Sequence, residues 1–573
     1  MRKLHSMLLL AGLLLGIMPA FACTNFLVGK NASTDGSTMI SYAADSYWLF
    51  GALTTYPATD YPEGSMRDVY EWDTGKYLGK IKEVRHTYSV IGNMNEHQVS
   101  IGETTYTGIE SLIDTTGLID YGSLMFIALQ RSKTAREAIK TMVELVAEYG
   151  YCSSGESFSI ADPNEIWIME MIGKGPGQKG AVWVARRIPD DCVSAHANQA
   201  RITTFPREKD SKNSISSRHL KRIFDPKVTV VYAEDVVTVA RAHNLYNGTD
   251  GDFSFSDTYN PLDFGGIRFC EARVWSFFRQ VNPSMDTYIS YINGETKERM
   301  PLWIKPVHKV SVRDMKHYMR DHYEGTPLDM TIGMGAGPFH SPYRNTPLSY
   351  KHNGVEYYHE RPVATQQTGF SFVAQMRSWL PDHVGGIFWF GVDDASISIY
   401  VPLYCGITRT PQCFDPKNGS LLDLSWTSAF WINNWVGSMV YNRYDRLIPT
   451  IKEMQNTWDT SFETSSQQID AQAKQLAATN PNGADKMLTD YSVKQAQDAT
   501  AAWKAMGEKL FVQNLDDAVK GTDTNGNFLR DNGNIPAKVT RPGYNEEYIE
   551  KELVKPDPER FRLKTQEEMA RRK

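Results

Sequence analysis

The chain has 573 residues, of which 41% are apolar and 22% are charged, proportions typical of soluble globular proteins. Its formal net charge of −6 provides no overall attraction to nucleic acid. No segment after the N-terminal region reaches the roughly 18 consecutive apolar residues of a membrane-spanning helix. The composition therefore argues against a nucleic-acid-binding protein, a coiled coil and a multi-span membrane protein.

The first 22 residues are typical of an export signal. Arg2 and Lys3 form a positive start, residues 8–18 are almost wholly apolar, and Ala20-Phe21-Ala22 matches a small-x-small cleavage site. The apolar run is too short to span the ~30 Å of hydrocarbon in a bilayer. We therefore predict a signal peptide over residues 1–22, cleavage after Ala22, and export to a periplasm or out of the cell.

Cleavage after Ala22 makes Cys23 the first residue of the mature chain, which leaves three interpretations. Cys23 is a lipid-modified anchor, an N-terminal nucleophile, or a structural cysteine. Lipoprotein signals usually carry an aliphatic residue such as Leu at the position of Ala20, and bulky Phe21 also fits them poorly. The anchor interpretation is therefore the weaker of the two functional ones.

The chemistry of an N-terminal cysteine favours the nucleophile. A thiol with a pKa of ~8.5 lies beside an α-amine with a pKa of ~7.7–8.0, so one residue supplies both nucleophile and general base. Lipid modification would block both groups, and the two interpretations exclude each other.

The residues after Cys23 predict a β-hairpin. Residues 23–30 alternate small or polar with apolar side chains, Asp35-Gly36 is a turn signal, and a second strand over residues 38–43 leads to Asp45. A lipoprotein usually continues into a flexible tether, whereas this chain enters a folded segment at once.

Several blocks, in order from residue 23 to residue 394, resemble a known family. They are Cys23-Thr24 with Val28-Gly29-Lys30, Ala32-Ser33 with Asp35-Gly36-Ser37, Met94-Asn95-Glu96 with Val99 and Ile101-Gly102-Glu103-Thr104, Ala161-Asp162-Pro163 with Glu165 and Trp167, Ala197-Asn198 with Arg201-Ile202, and residues 372–381 with 389–394. Together they resemble the C69 dipeptidases, cysteine N-terminal-nucleophile (Ntn) hydrolases related to penicillin V acylase and bile salt hydrolase.

The resemblance implies catalytic roles for Cys23, Asp45 and Asn198. Cys23 is the nucleophile, Asp45 holds its α-amine, and Asn198 contributes a side-chain amide to the oxyanion hole. Relatives usually have an Arg three residues before the Asp, where this chain has Tyr42. A phenol cannot supply the cation that lowers a thiol pKa, so another cation is needed, with Arg201 and Arg273 as the candidates.

The resemblance also implies a substrate site and no cofactor. Glu103 and Thr104 lie near the position where relatives contact substrate, and the Glu103 carboxylate suits the free amine of a dipeptide. The implied mechanism requires neither a metal nor an organic cofactor. The six cysteines cannot all form disulfides if Cys23 stays free, and Cys405 and Cys413 are close enough in sequence to pair.

Local patterns predict a mixed α+β protein. Strand-like runs occur at residues 165–171, 181–185 and 386–390, and residues 132–149 form an amphipathic helical run. The resemblance implies a four-layer αββα Ntn-hydrolase sandwich over residues 23–432. We predict a helical appendage over residues 433–537 and a poorly ordered charged tail over residues 538–573.

The sequence thus predicts an exported cysteine dipeptidase that acts on dipeptides or short peptides. Two alternatives stay open: an acylase of the penicillin or bile-salt type acting on N-acyl amides, and a non-enzymatic, lipid-anchored surface binding protein. We expect no nucleic-acid partner and no transmembrane segment. The oligomeric state stays open, and a homo-oligomer is compatible with the sequence.

Overall fold

Two large sheets form the centre of the protein, whose computed structural model describes residues 23–571. The strands are β1 (Asn25–Val28), β2 (Thr38–Asp45), β3 (Thr55–Tyr56), β4 (Thr59–Asp60), β5 (Met66–Tyr70), β6 (Tyr77–Lys82), β7 (His86–Thr87), β8 (Val90–Ile91), β9 (Met94–Asn95), β10 (Ser100–Thr107), β11 (Gly155–Ala161), β12 (Ile166–Gly173), β13 (Ala181–Ile188), β14 (Val193–His196), β15 (Ser214–Ser216), β16 (Val230–Tyr232), β17 (Trp303–Ile304), β18 (Ser349–His352), β19 (Val355–Tyr358), β20 (Thr368–Met376), β21 (Ile387–Val392), β22 (Val401–Tyr404), β23 (Val519–Lys520) and β24 (Val539–Thr540).

Helices follow and flank these strands. They are α1 (Tyr121–Arg131), α2 (Ala135–Tyr149), α3 (Val236–Ala242), α4 (Phe255–Tyr259), α5 (Ala272–Val281), α6 (Ile289–Ile292), α7 (Val312–Tyr318), α8 (Asp382–Gly385), α9 (Ala429–Tyr441), α10 (Tyr444–Ala477), α11 (Pro481–Gln513), α12 (Glu546–Tyr548) and α13 (Gln566–Ala570). Within residues 23–571, no helix combines the length and apolar character needed to cross a membrane.

The N-terminal hairpin lies inside a seven-stranded sheet. The strand order is β17-β14-β1-β2-β20-β21-β22, so β1 and β2 have neighbours on both sides. The predicted hairpin is confirmed: β1 pairs antiparallel with β2, and Gly36 adopts a φ of 87° in the turn between them. Every residue of β2 is buried, as expected for a strand covered on both faces of its sheet.

A nine-stranded sheet packs against the first. Its order is β15-β16-β13-β12-β11-β10-β9-β8-β3, and β10 and β11 contact β2 across the interface. Helices α1 and α2 pack on the strands of this sheet, whereas α5, α7, α9 and α11 pack on strands of the seven-stranded sheet. The predicted mixed α+β class is confirmed. The packing places the N-terminal end of β1, called its head below, beside β10.

Local sequence signals explain several boundaries. The helical run predicted over residues 132–149 is observed as α2, which begins after Thr134 because the Thr134 side chain accepts a hydrogen bond from the Glu137 backbone N–H. The strands predicted at residues 165–171, 181–185 and 386–390 are observed as β12, β13 and β21.

The C-terminal helices pack directly on the sheet. Helix α11 lies against β22, and α10 is joined to α7 by the buried ion pair Lys316–Asp459, with an N–O distance of 2.8 Å. The boundary predicted at residue 433 falls within α9. Residues 538–571 are mostly exposed, and the Asn545 side chain donates a hydrogen bond of 2.7 Å to the Pro338 carbonyl oxygen. The division into regions and the poor order of the tail stay predictions.

Candidate active site

Cys23 lies at the head of β1, in a buried position between the two sheets. Its neighbour Thr24 forms a backbone bridge with Ala43 of β2, and Cys23 is only 4% exposed. The Cys23 Sγ lies 3.6 Å from the Tyr42 Oη and 3.5 Å from the Glu103 Oε1. The Tyr42 hydroxyl also donates to the Glu103 Oε1 at 2.5 Å. The hairpin therefore supplies Tyr42, and the packing of β10 supplies Glu103.

The environment of the thiol keeps it protonated. Burial raises the pKa of Cys23 well above its ordinary value, and the negative charges of Glu103 and Asp45 raise it further. Hydrogen bonds from the Asp45 backbone N–H and the Tyr42 hydroxyl lower the pKa, but they are the smaller effects. A thiol in this setting needs a proton acceptor in immediate contact if it is to act as a nucleophile.

Asp45 ends β2 with one carboxylate oxygen unsatisfied. The Thr368 hydroxyl donates to Oδ1 at 2.7 Å, whereas Oδ2 is buried and accepts no hydrogen bond within residues 23–571. Burial raises the pKa of Asp45 to about 7, although the positive charges of Arg361 and Arg273 lower it. The carboxyl group can therefore accept a further hydrogen-bond donor or a positive charge.

Arg273 of α5 connects the nucleophile to Asn198. This fully buried side chain donates from Nη1 to the Cys23 carbonyl oxygen at 2.8 Å and to the Thr24 Oγ1 at 2.8 Å. Its Nη2 donates to the Asn198 Oδ1 at 2.9 Å. Of the two cations considered in place of the usual Arg, Arg273 is thus the one in contact with Cys23. The other candidate, Arg201, is engaged in an ion pair with Glu271, with an N–O distance of 2.8 Å.

Asn198 and Thr104 have partners outside the immediate surroundings of the thiol. Asn198 follows β14 in a left-handed conformation with a φ of 58°, and its Nδ2 donates to the Thr105 carbonyl oxygen at 2.7 Å. Thr104 points away from Glu103, its neighbour on β10, and its Oγ1 hydrogen-bonds to the His196 Nδ1 at 2.7 Å. The structure brings Cys23, Asp45 and Glu103 together and links Asn198 to them through Arg273. It directs Thr104 towards His196.

A cavity of about 350 Å³ opens onto the thiol. Its charged walls are formed by Asp45, Asp73 and Glu103, and within the described chain no Lys, Arg or His lines it. Its apolar walls are formed by Ala44, Trp48, Leu49, Trp72, Met125, Phe126 and Phe370. The volume suits a small ligand, and the lining favours one that carries a positive charge and an apolar side chain.

Comparison with known proteins identifies the family. Residues 22–457 match peptidase family C69. The chain belongs to this family and is a peptidase.

Relatives of the peptidase carry consistent names. A probable dipeptidase of Salmonella dublin is 27% identical over 69% of this chain and 83% of its own length. A probable dipeptidase of Latilactobacillus sakei is 25% identical over 74% of this chain and 82% of its own length. A probable dipeptidase B of Streptococcus pyogenes serotype M1 is 24% identical over 86% of this chain and 93% of its own length.

Two charged residues near the site were not identified from the sequence of the peptidase. Arg361, between β19 and β20, lowers the pKa of Asp45 through its positive charge. Glu156 of β11 is fully buried and lies diagonally across from Glu103 in the pairing of β10 with β11. Neither lies in a motif that the sequence analysis used.

The cysteines of the peptidase are all free thiols. The pairing of Cys405 with Cys413, which their spacing allows, is therefore not formed. Burial raises the pKa of Cys405 to about 12 and that of Cys413 to about 11. These two thiols act as small apolar side chains in the core.

Proposed function

We propose that the peptidase is an exported dipeptidase that hydrolyses dipeptides or short peptides with Cys23 as an N-terminal nucleophile. The observation that carries the proposal is a buried thiol at the head of β1 in a small cavity whose charged walls are carboxylates. The names of the relatives from three bacterial genera agree with this substrate class.

Removal of residues 1–22 would free the α-amine of Cys23. This amine is the proton acceptor that the buried thiol requires. The unsatisfied Oδ2 of Asp45 is available to accept a hydrogen bond from it. Because Asp45 and the amine stabilise each other when both are charged, the amine can hold a proton between two steps of the reaction.

The proposed reaction proceeds in two halves. The amine takes the thiol proton, the sulfur bonds to the scissile carbonyl carbon, and the carbonyl electron pair moves onto oxygen. That pair returns as the C–N bond breaks, and the ammonium gives its proton to the leaving amine. A water molecule then loses a proton to the amine and attacks the thioester, and the sulfur departs and is reprotonated. No metal or organic cofactor takes part.

Asn198 is proposed to stabilise the oxyanion. Its side chain cannot rotate freely, because Arg273 donates to Oδ1 while Nδ2 donates to the Thr105 carbonyl oxygen. The second hydrogen of Nδ2 stays available for a developing negative charge. An oriented donor of this kind can lower a barrier by about 3 kcal/mol.

Glu103 is proposed to bind the α-ammonium group of the substrate. The Glu103 Oε1 lies 3.5 Å from the Cys23 Sγ, and in a dipeptide the ammonium group is one carbon from the carbonyl that the sulfur attacks. A cavity lined by carboxylates favours such a substrate over a neutral N-acyl amide. The contact of Thr104 with His196 gives no support for its predicted substrate contact, which stays a prediction.

We also propose that the two packed sheets and the helices on either side form the four-layer αββα Ntn sandwich. The support is the position of Cys23 at the head of a strand inside the seven-stranded sheet, with the cavity at that end of the strand.

The test compares two substrates on the purified mature protein. We expect hydrolysis of leucylglycine, little hydrolysis of N-acetyl-leucylglycine, complete inhibition by iodoacetamide and no effect of EDTA. Preferential hydrolysis of the N-acetyl compound would show that the protein is an acylase and not a dipeptidase. A mass increase equal to a diacylglyceryl group on Cys23, in protein from its native host, would contradict the assignment of Cys23 as the nucleophile.

A further inference from the structure

Glu156 and Glu103 lie on adjacent strands and on the same face of the sheet. Thr105 of β10 pairs directly with Glu156 of β11, and Glu103 is two residues from Thr105, so all three side chains point the same way. Both glutamates are buried, with exposed fractions of 1% for Glu103 and 0% for Glu156. Glu103 lines the cavity, Glu156 is its buried neighbour on β11, and both carboxyl groups are removed from water.

The hydrogen bonds of the two carboxyl groups leave one oxygen of each without a donor among the described residues. The Glu103 Oε1 accepts from Tyr42 at 2.5 Å, and the Glu156 Oε1 accepts from the Thr105 hydroxyl at 2.7 Å. The Oε2 atom of each glutamate is buried and accepts no hydrogen bond from the described residues. Diagonal neighbours on one face of a sheet are near enough for long side chains to meet. Ionised carboxylates only accept hydrogen bonds, so a proton on one of them satisfies both.

The surrounding charges place that proton on Glu156. Burial and then the negative charge of Glu103 raise the pKa of Glu156 well above its usual range. Burial raises the pKa of Glu103 only to about 6, because hydrogen bonds from Tyr42, Glu156 and Cys23 lower it. The titratable groups that interact electrostatically with the pair are Cys23 and Tyr42 from the hairpin, Asp73 from the loop between β5 and β6, Tyr121 from α1, Tyr106 from β10 and Tyr151 before β11.

We propose that Glu103 and Glu156 share one proton and together form the seat for the α-ammonium group of the substrate, with Glu156 as a positioning residue. This inference rests on the proposed function and extends it. The pair carries a single negative charge next to the sulfur. It accepts peptides with an unblocked N-terminus and rejects analogues in which the amine is replaced by a neutral group, because Glu103 would then be left buried without a cation.

The first experiment measures discrimination between amine and hydroxyl. The substrates are leucylglycine and its analogue with an α-hydroxyl group in place of the α-amine, and the quantity is the ratio of their kcat/KM values. Glu103→Gln is expected to lower this ratio about 100-fold, because the site loses the charge that separates the two substrates. Equal loss on both substrates, with the ratio unchanged, would overturn the ammonium seat.

Two substitutions at Glu156 separate positioning from packing. Glu156→Gln keeps a neutral donor towards Glu103 and is expected to keep the ratio within about threefold of the original. Glu156→Leu removes the donor, so the pKa of Glu103 rises and the acid limb of the kcat/KM profile moves up by about one pH unit. An unmoved acid limb in Glu156→Leu would overturn the role of Glu156.

A matched control uses another buried glutamate of the same sheet. Glu170 of β12 is fully buried and accepts hydrogen bonds from the Ile202 backbone N–H at 3.0 and 3.1 Å. Glu170→Gln is expected to leave the discrimination ratio unchanged. A fall in the ratio as large as that of Glu103→Gln would show that loss of any buried carboxylate in this sheet has this effect, and it would overturn the assignment.

A readout independent of turnover tests the shared proton. Infrared difference spectra of the mature protein at pH 7 should contain a protonated-carboxyl band that Glu156→Gln removes. Persistence of the full band in this variant would contradict the shared proton. If the unsubstituted enzyme cleaves no dipeptide, the proposed function fails, and the infrared result still decides whether the pair exists.

Discussion

Two aspartates that are equally buried behave in opposite ways. Asp45 in the cavity and Asp459 in the seam between α10 and α7 are each 1% exposed. Burial raises the pKa of Asp45 to about 7. Burial also acts to raise the pKa of Asp459, but the positive charges and hydrogen bonds of Lys316 and Arg320 together lower it below its ordinary value.

The two regions differ in the hydrogen-bond and ion-pair partners that they provide for a buried carboxylate. Asp459 accepts from the Lys316 Nζ at 2.8 Å and from the Arg320 Nη1 at 3.4 Å, and the Lys316 ammonium also lies 3.8 Å from the centre of the Trp389 ring. The buried charge of Asp459 is therefore paired within the seam. In the cavity, the Asp45 Oδ2 and the Glu103 Oε2 accept no hydrogen bond from any group that the structure describes. Perturbed carboxyl groups in a cavity are typical of a functional site.

The largest expected effect concerns the nucleophile. Cys23→Ala removes the attacking sulfur while leaving a small apolar side chain in its place. We expect dipeptide hydrolysis to fall by about 10⁴-fold or more, with little change in the midpoint of thermal unfolding. Residual activity within about tenfold of the original would contradict covalent catalysis by this thiol.

A substitution in the seam should lower the free energy of unfolding without affecting the catalytic step. Asp459→Asn leaves the buried Lys316 ammonium without its carboxylate, and breaking a buried pair in this way costs about 3–5 kcal/mol of unfolding free energy. Urea denaturation measures this loss. As a control, the double variant Asp459→Asn with Lys316→Met should regain much of the lost unfolding free energy. An unchanged unfolding free energy in Asp459→Asn alone would contradict the contrast between the two regions.

A substitution in the cavity should lower catalytic activity without lowering the free energy of unfolding. Asp45→Asn removes the carboxylate proposed to hold the α-amine, so we expect kcat to fall about 100-fold. Unfolding free energy at pH 7 should stay equal or rise, because a carboxyl group with a raised pKa is more costly to bury when ionised. Paired urea-denaturation and steady-state measurements distinguish this outcome from a plain loss of stability.

The last expected effect is a pH dependence of stability. Burial raises the pKa of Asp393 to about 8. The folded protein therefore retains a proton that the unfolded chain releases above pH ~4, and stability falls as pH rises from about 4 to about 8. The slope from this group is at most about 1.4 kcal/mol per pH unit.

Asp393→Asn should flatten this slope. Asn also tolerates the left-handed conformation at this position, where φ is 66°. Urea denaturation at several pH values compares the two proteins. Identical slopes would show that Asp393 does not titrate as its burial implies.

Local signals predicted the elements that surround the nucleophile. The alternation after Cys23 and the Asp35-Gly36 turn predicted the hairpin, and the amphipathic run over residues 132–149 predicted α2. These features depend on contacts between near neighbours in the chain, which a sequence displays directly.

The remaining parts of the site depend on long-range packing. Arg273 contacts the Cys23 carbonyl oxygen across 250 residues of chain, so the sequence could offer it only as one of two candidates. Glu156 meets Glu103 through strand pairing, and that register is visible only in the fold. Glu103 and Asn198 were identified through family resemblance, which carries such long-range information indirectly.

The most direct test of the central claim compares two chains that differ by one residue. One begins at Cys23 and the other retains Ala22, so they share every side chain of the cavity and differ in whether the Cys23 nitrogen is a free amine. We predict that the chain beginning at Cys23 hydrolyses leucylglycine at least about 10³-fold faster, with equal thermal stability. Equal rates for the two chains would contradict an N-terminal nucleophile.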